Sequence, residues 1–271
     1  MVKPNECLVY AIVAVALTLP PTTALAQASA DDANKSNNPL NPAPGLNAQD
    51  SYVAKLYGSD KHTNDLLLRG TLPVLPSEHM PAPQIFRLTV PVSTRPDSSG
   101  SGYTTGLGDL NLFDIFLLKK TEGGIELGAG PLITAPTASK DELGAGKWQA
   151  GLAGVAIHPS PGGLLGGLLQ WQHSFAGDSD RATVNTLTLQ PLWIHNLREG
   201  WYVRSTGIWT FDLAGSNYYI PIGFGAGKIW KTSDGTLYNL FAEPQWTVAH
   251  DGDGLPKFSV FFGLNVTLGG K

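Results

Sequence analysis

Six histidines stand at positions 62, 79, 158, 173, 195 and 250, and imidazole is both the commonest metal ligand and the usual base near neutral pH. None lies at metal-ligand spacing from another histidine or from the single cysteine, Cys7, so the pattern argues against zinc. Asp178, Asp180, Asp251 and Asp253 lie in glycine-bearing loops whose carboxylates suit Ca2+. An EF-hand's closing glutamate is missing, and solvated turns are the alternative reading. Gly223, Gly225 and Gly227 spell G-x-G-x-G without the strand-turn-helix setting of a phosphate cradle. Small residues facing a crowded interior or a neighbouring strand account for them. His173 and Ser174 are adjacent, and a strand sends adjacent side chains to opposite faces, so they do not form a hydrolase pair. No catalytic, cofactor or metal site is predicted.

The elements that carry these residues are legible from composition. Charged residues make up 15% of the 271, against roughly 25% in an ordinary soluble domain. With 32 Gly, 20 Pro and a formal net charge of −4, the chain is not a disulfide scaffold, a coiled coil or a basic nucleic-acid binder. Residues 1–26 read as a secretory signal peptide: Lys3, an apolar run from Leu8 to Leu19, then Ala24-Leu25-Ala26 at the cleavage site. Residues 27–49 are rich in Ala, Asn, Asp, Ser and Pro, which predicts a flexible periplasmic lead.

From residue 50 to 271 the pattern is strand-like. Twelve segments of about ten residues alternate apolar and polar positions between Gly- and Pro-bearing turns. Phe258, Val260, Phe262, Leu264, Val266 and Leu268 share one face of the last segment, opposite Ser259, Gly263, Asn265 and Thr267 with Phe261. A soluble sandwich would place Lys and Glu on its wet face, whereas here charge concentrates in loops. The prediction is therefore all-β: an antiparallel transmembrane β-barrel of twelve strands, with ten as second choice, short periplasmic turns and longer extracellular loops. Segment 108–119 has an awkward register at Asp114, which suggests a bulge.

Alternation assigns Arg69, Arg87, Glu126, Gln170, Gln172, Gln190, Arg204, Glu243 and Gln245 to the lumen. Trp148, Trp171, Trp193, Trp201, Trp209, Tyr218, Trp230 and Trp246 are assigned to aromatic girdles at the two membrane interfaces. Outer-membrane lipid, small solutes and the outer-membrane assembly machinery are the expected partners, in the outer membrane of a Gram-negative cell; no nucleic acid and no cofactor are expected.

Three stretches carry a resemblance. They are Gly-Leu-Gly-Asp-Leu-Asn-Leu-Phe-Asp-Ile-Phe-Leu (106–117), Gly-Ala-Gly-Pro-Leu-Ile-Thr-Ala-Pro-Thr (128–137) with Leu-Gly-Ala-Gly-Lys-Trp (143–148), and Gln-Pro-Leu-Trp-Ile-His-Asn-Leu (190–197) with Gly-Trp-Tyr (200–202). From about Leu66 onward the chain resembles bacterial outer-membrane proteins labelled neuromedin U, of the phenol meta-pathway-degradation-like barrel family. The resemblance implies passive passage of small, often hydrophobic or aromatic, compounds and no catalytic residues. A structural or adhesive barrel and an acyl hydrolase are the rival classes. The chain departs from many such barrels by ending Leu268-Gly-Gly-Lys271, without a terminal aromatic.

Overall fold

The computed structural model describes residues 26–78, 80–99 and 101–269. The expected signal peptide and Cys7 lie outside the described residues, apart from Ala26, as does His79.

Twelve antiparallel strands close on themselves. They are β1 (Gly45–Leu56), β2 (Thr63–Val74), β3 (Gln84–Pro96) and β4 in two pieces (Tyr103–Leu107, Leu110–Leu117). Then come β5 (Glu126–Ala135), β6 (Lys147–Ser160), β7 (Gly163–Gly177) and β8 (Asn185–Asn196). β9 (Trp201–Ser205, Trp209–Asp212) and β10 (Asn217–Gly223, Gly225–Lys231) are also interrupted, and β11 (Leu237–Asp251) and β12 (Pro256–Thr267) complete the wall. β12 pairs with β1 from Pro256 opposite Leu56 to Thr267 opposite Gly45, so the ring has no free edge.

The turns follow their residues. In the β10–β11 turn, Gly235 takes φ +86°, which an L side chain resists, and its N–H donates to the Thr232 carbonyl at 3.0 Å. At the opposite end the ladders run further than the alternation indicates: β3 and β4 stay paired out to Pro96 opposite Tyr103. Residues 136–146 remain a long loop there.

The awkward register in β4 falls earlier than Asp114. Thr89 lies opposite Asn111 but Val92 lies opposite Leu107, so one residue is inserted at Gly108–Asp109. Asp109 uses that kink to hold the 136–146 loop, its carboxylate accepting from the N–H groups of Ala138 (3.1 Å) and Ala145 (2.7 Å). Pairing on both sides of β9 lapses at 206–208 without a register change. There the Thr206 N–H turns inward to Glu243 at 2.8 Å, and Pro221 of β10 has no N–H to offer.

Two departures concern the first residues. β1 begins at Gly45 rather than near 50, and residues 30–37, expected to be flexible, form helix α1 (Ala30–Asn37). Ser29 and Asp32 cap the helix reciprocally: the Ser29 Oγ accepts from the Asp32 N–H at 3.1 Å, and the Ser29 N–H donates to Asp32 Oδ2 at 2.9 Å. Asp31 and Lys35 pair one turn apart at 2.8 Å. Just ahead of the helix, Ala26–Gln27 adds a short strand to β10 at Lys231 and Trp230.

Candidate functional site

The strand pleat sends alternate side chains inward, and the lumen they fill has two halves. At the turn end the inward residues are apolar: Ile115, Val155, Ile157, Leu164, Ile194 and Ile229 are buried around α1 with Ala33 and Leu40. A Cβ at Gly128 would strike both Ile115 of the wall and Leu40. Polar side chains then lock the helix. Asn34 donates to the Ser160 carbonyl (2.7 Å) and accepts from Asn196 (3.0 Å). Asn37 accepts from Asn239 (3.1 Å), which accepts from the Tyr202 hydroxyl (2.6 Å). Asn38 donates to Glu126 (2.7 Å), and Lys231 donates to Asp32 (2.8 Å).

Burial works against the Asp32 carboxylate, but hydrogen bonds from Lys231 and Ser29 outweigh it and hold its pKa below the ordinary carboxylate value. This end of the lumen is a packed core with a helical plug.

Toward the loop end the lumen opens into a cavity of about 560 Å³. Ser36, Asn37, Asn38 and Pro39 of the plug line it, and Gly254 and Pro256 mark its reach to the loop end. Of the residues assigned to the lumen by alternation, Arg69, Arg87, Gln190, Arg204 and Gln245 line this cavity. Glu243 is fully buried behind Arg204, accepting from its Nε at 2.8 Å. Gln172 accepts from Thr134 on the same inner face at 3.4 Å, while Gln170 is half-buried. Neither is among the cavity's lining residues. Glu126 stands at the turn end, between Asn38 and Lys120.

The cavity also takes in residues that alternation missed. Asn47 and Gln49 come from the part of β1 read as lead, Ser51 from the barrel segment that follows it, and Asp65 and Arg95 from segments read as loop. Their signal was present but broken: Leu46, Ala48 and Tyr52 alternate with them, and Asp50 interrupts the apolar series. Arg95 binds both oxygens of Asp65, at 2.8 and 2.9 Å.

Gly223, Gly225 and Gly227 face crowded neighbours, as their spacing suggested. A Cβ at Gly223 or Gly225 would strike Glu243, and one at Gly227 would strike the Tyr202 ring.

The outer face is apolar, with Leu46, Leu72, Leu152, Leu165, Phe175, Phe224 and Val248 all exposed. Trp148, Trp171, Trp209, Tyr218 and Trp246 lie in the loop-end part of this face, and Trp193, Trp201 and Trp230 toward the turns. Among the described residues, no helix is long and apolar enough to cross a membrane, which says nothing of a barrel. No group of three or more metal-binding side chains occurs among them either.

No family model matches the chain, and no curated protein is similar to it. A solved structure is. The chain is similar to an outer membrane channel from Pseudomonas putida F1, with a TM-score of 0.61 and 16% identity, over 83% of this chain and 95% of that one. The likeness is one of fold: both are barrels of this type.

Proposed function

We propose that the chain is an outer-membrane channel for passive passage of small solutes, with hydrophobic or aromatic compounds as the preferred class. The observation that carries this reading is the division of the wall: an apolar outer face around a cavity, lined by charged, polar and apolar side chains, that reaches the loop end of the lumen. Buried charges on a barrel's inner face must be paired or hydrated, and a cavity of this size admits water. Twelve strands make a narrow barrel, so a wide general pore is not part of the reading.

The likeness to the Pseudomonas channel supports the transport role and an outer-membrane location. The three sequence stretches named above support membership of the phenol meta-pathway-degradation-like family. In this reading lipid surrounds the exposed apolar belt, the turns and α1 face the periplasm, and no enzymatic step occurs.

The plug makes the reading testable. Liposome swelling and bilayer conductance are measured with sugars, ions and phenolic compounds, for the full chain and for a variant lacking residues 27–40. The full chain should pass solutes weakly, and the deletion should raise flux several-fold. If a folded barrel of either form passes no solute, the channel reading fails and a structural role replaces it.

A further inference from the structure

Arg69 and Arg87 differ from the other arginines of the lumen. They project inward from adjacent strands: Arg69 lies opposite Thr89 and Arg87 opposite Thr71, which makes them diagonal neighbours, within reach of long side chains. Each guanidinium has five N–H donors, and the wall uses few of them. Arg69 donates to the Gln49 side chain, and Arg87 donates through Nε to the Thr71 hydroxyl at 3.1 Å. The Arg87 guanidinium also lies over the Phe113 ring, 5.0 Å from its centre.

Neither forms an ion pair among the described residues. Among the described residues Asp65 is the one carboxylate lining the cavity, and Arg95 takes both its oxygens. Glu243, behind the wall of side chains, is taken by Arg204. Two like charges thus sit side by side in a half-enclosed space where water only partly screens them, and both stay protonated at any physiological pH.

Apolar groups share the cavity. Leu67, Leu168 and Phe261 line it along with the two arginines. A bare inorganic anion would satisfy the guanidinium donors but leave this apolar surface wet. A planar carboxylate matches the guanidinium fork, and a hydrocarbon body attached to it would cover the leucines and the phenyl ring.

We propose that Arg69 and Arg87 form a binding site for small organic carboxylates, with the charged end on the two guanidinium groups and the hydrocarbon end on the apolar side of the cavity. This inference rests on the channel reading for its purpose, as the selecting step of the path, but the site is defined by binding alone.

The test is equilibrium binding to the full chain folded in detergent, with benzoate, benzyl alcohol and inorganic phosphate as probes. Benzoate should bind more tightly than either of the others and weaken as salt rises. The double variant Arg69→Gln with Arg87→Gln should lose at least about tenfold in benzoate affinity while benzyl alcohol is unaffected. Arg69→Lys with Arg87→Lys keeps the charge but not the fork and should fall between the two. Heat-modifiable gel migration identifies folded variants.

Equal binding of benzoate and benzyl alcohol, or undiminished benzoate binding by a folded double glutamine variant, overturns the proposal. Phosphate binding as tightly as benzoate overturns the organic part and leaves a simple anion site. The two readings fail separately: benzoate binding without conductance removes the channel and keeps the site, whereas conductance without benzoate binding does the reverse.

Discussion

Arg204 and the pair Arg69 and Arg87 face the same lumen, yet the wall treats them oppositely. Around Arg204 the charge is paired and the oxygens of its partner are filled. Glu243 accepts from Arg204 Nε (2.8 Å), the Thr206 N–H (2.8 Å), the Thr206 hydroxyl (2.7 Å) and Gln245 Nε2 (3.1 Å), which fills its lone-pair sites. Arg204 adds a bond to the Thr206 hydroxyl (2.7 Å) and lies 3.9 Å from the Phe241 ring centre. The wall gives up ladder bonding at 206–208 and side chains at Gly223 and Gly225 to make this room. Around Arg69 and Arg87 it supplies neutral oxygens only. A buried charge held by a counter-charge is structural, and one without a counter-charge facing a cavity is available to a ligand.

The largest expected effect breaks the saturated side. Glu243→Gln keeps the volume but leaves Arg204, only 7% exposed, without its counter-charge. Removing one partner of such a pair costs about 3–5 kcal/mol, measurable as a fall in denaturant midpoint in detergent. Replacing both partners, Arg204→Met with Glu243→Leu, should cost much less, because no orphaned charge remains. A single substitution as mild as the double one would remove the basis of the contrast.

Next comes Tyr202→Phe. The Tyr202 ring is fully buried, and its hydroxyl is the donor to Asn239, which holds Asn37 of the plug. Leaving that acceptor unmet should cost about 1–3 kcal/mol and also raise conductance, because the chain of bonds ends on α1.

Asp32 and Lys231 are an intermediate case, saturated on the acid side and 37% exposed on the lysine side. Asp32→Asn should loosen the plug by about 1 kcal/mol, read as faster proteolysis of residues 27–40 and higher conductance. The pH dependence has a definite sign. Because the folded pKa lies below the unfolded one, the anchor is intact above the ordinary carboxylate value of about 3.9 and is lost as pH falls through the lower folded value. Opening should therefore rise on acidification below about pH 4 in the parent and be flat in Asp32→Asn. An opening that rises toward alkaline pH contradicts the assignment.

The same contrast explains what could be read from sequence. The barrel was legible because lipid-type burial writes a period of two into ten-residue segments, and β2 to β12 carry it, despite the short lapses in β9 and β10. The plug was not, because its anchoring is polar. Asn34, Asn37 and Asn38 look like solvated linker until the wall supplies Ser160, Asn239 and Glu126 as partners. Its local signals were present, a Ser29-Ala-Asp-Asp32 capping box and Pro39 beyond the end, but low hydrophobicity outweighed them. Arg69, Arg87 and Arg204 all fell on the inward face by parity, while nothing in their spacing told which one had a partner 39 residues away.

The smallest expected effect is the sharpest test of that distinction. Arg87→Met removes a guanidinium that has one bond to Thr71 and a ring beneath it, and beside it stands Arg69 with the same charge. Losing the bond and the ring contact costs something, but removing a partly desolvated charge and its repulsion from Arg69 returns a similar amount. Unfolding stability should therefore change by no more than about 1 kcal/mol, in the favourable direction at low salt, where repulsion is least screened. The reversal potential in a salt gradient should move away from anion preference all the same. A loss of stability comparable to that of Glu243→Gln would mean that the wall depends on Arg87 as it does on Arg204. The open donors would then be structural groups hydrated by the cavity, and the division between a saturated and an available charge would fail at the residue where it matters most.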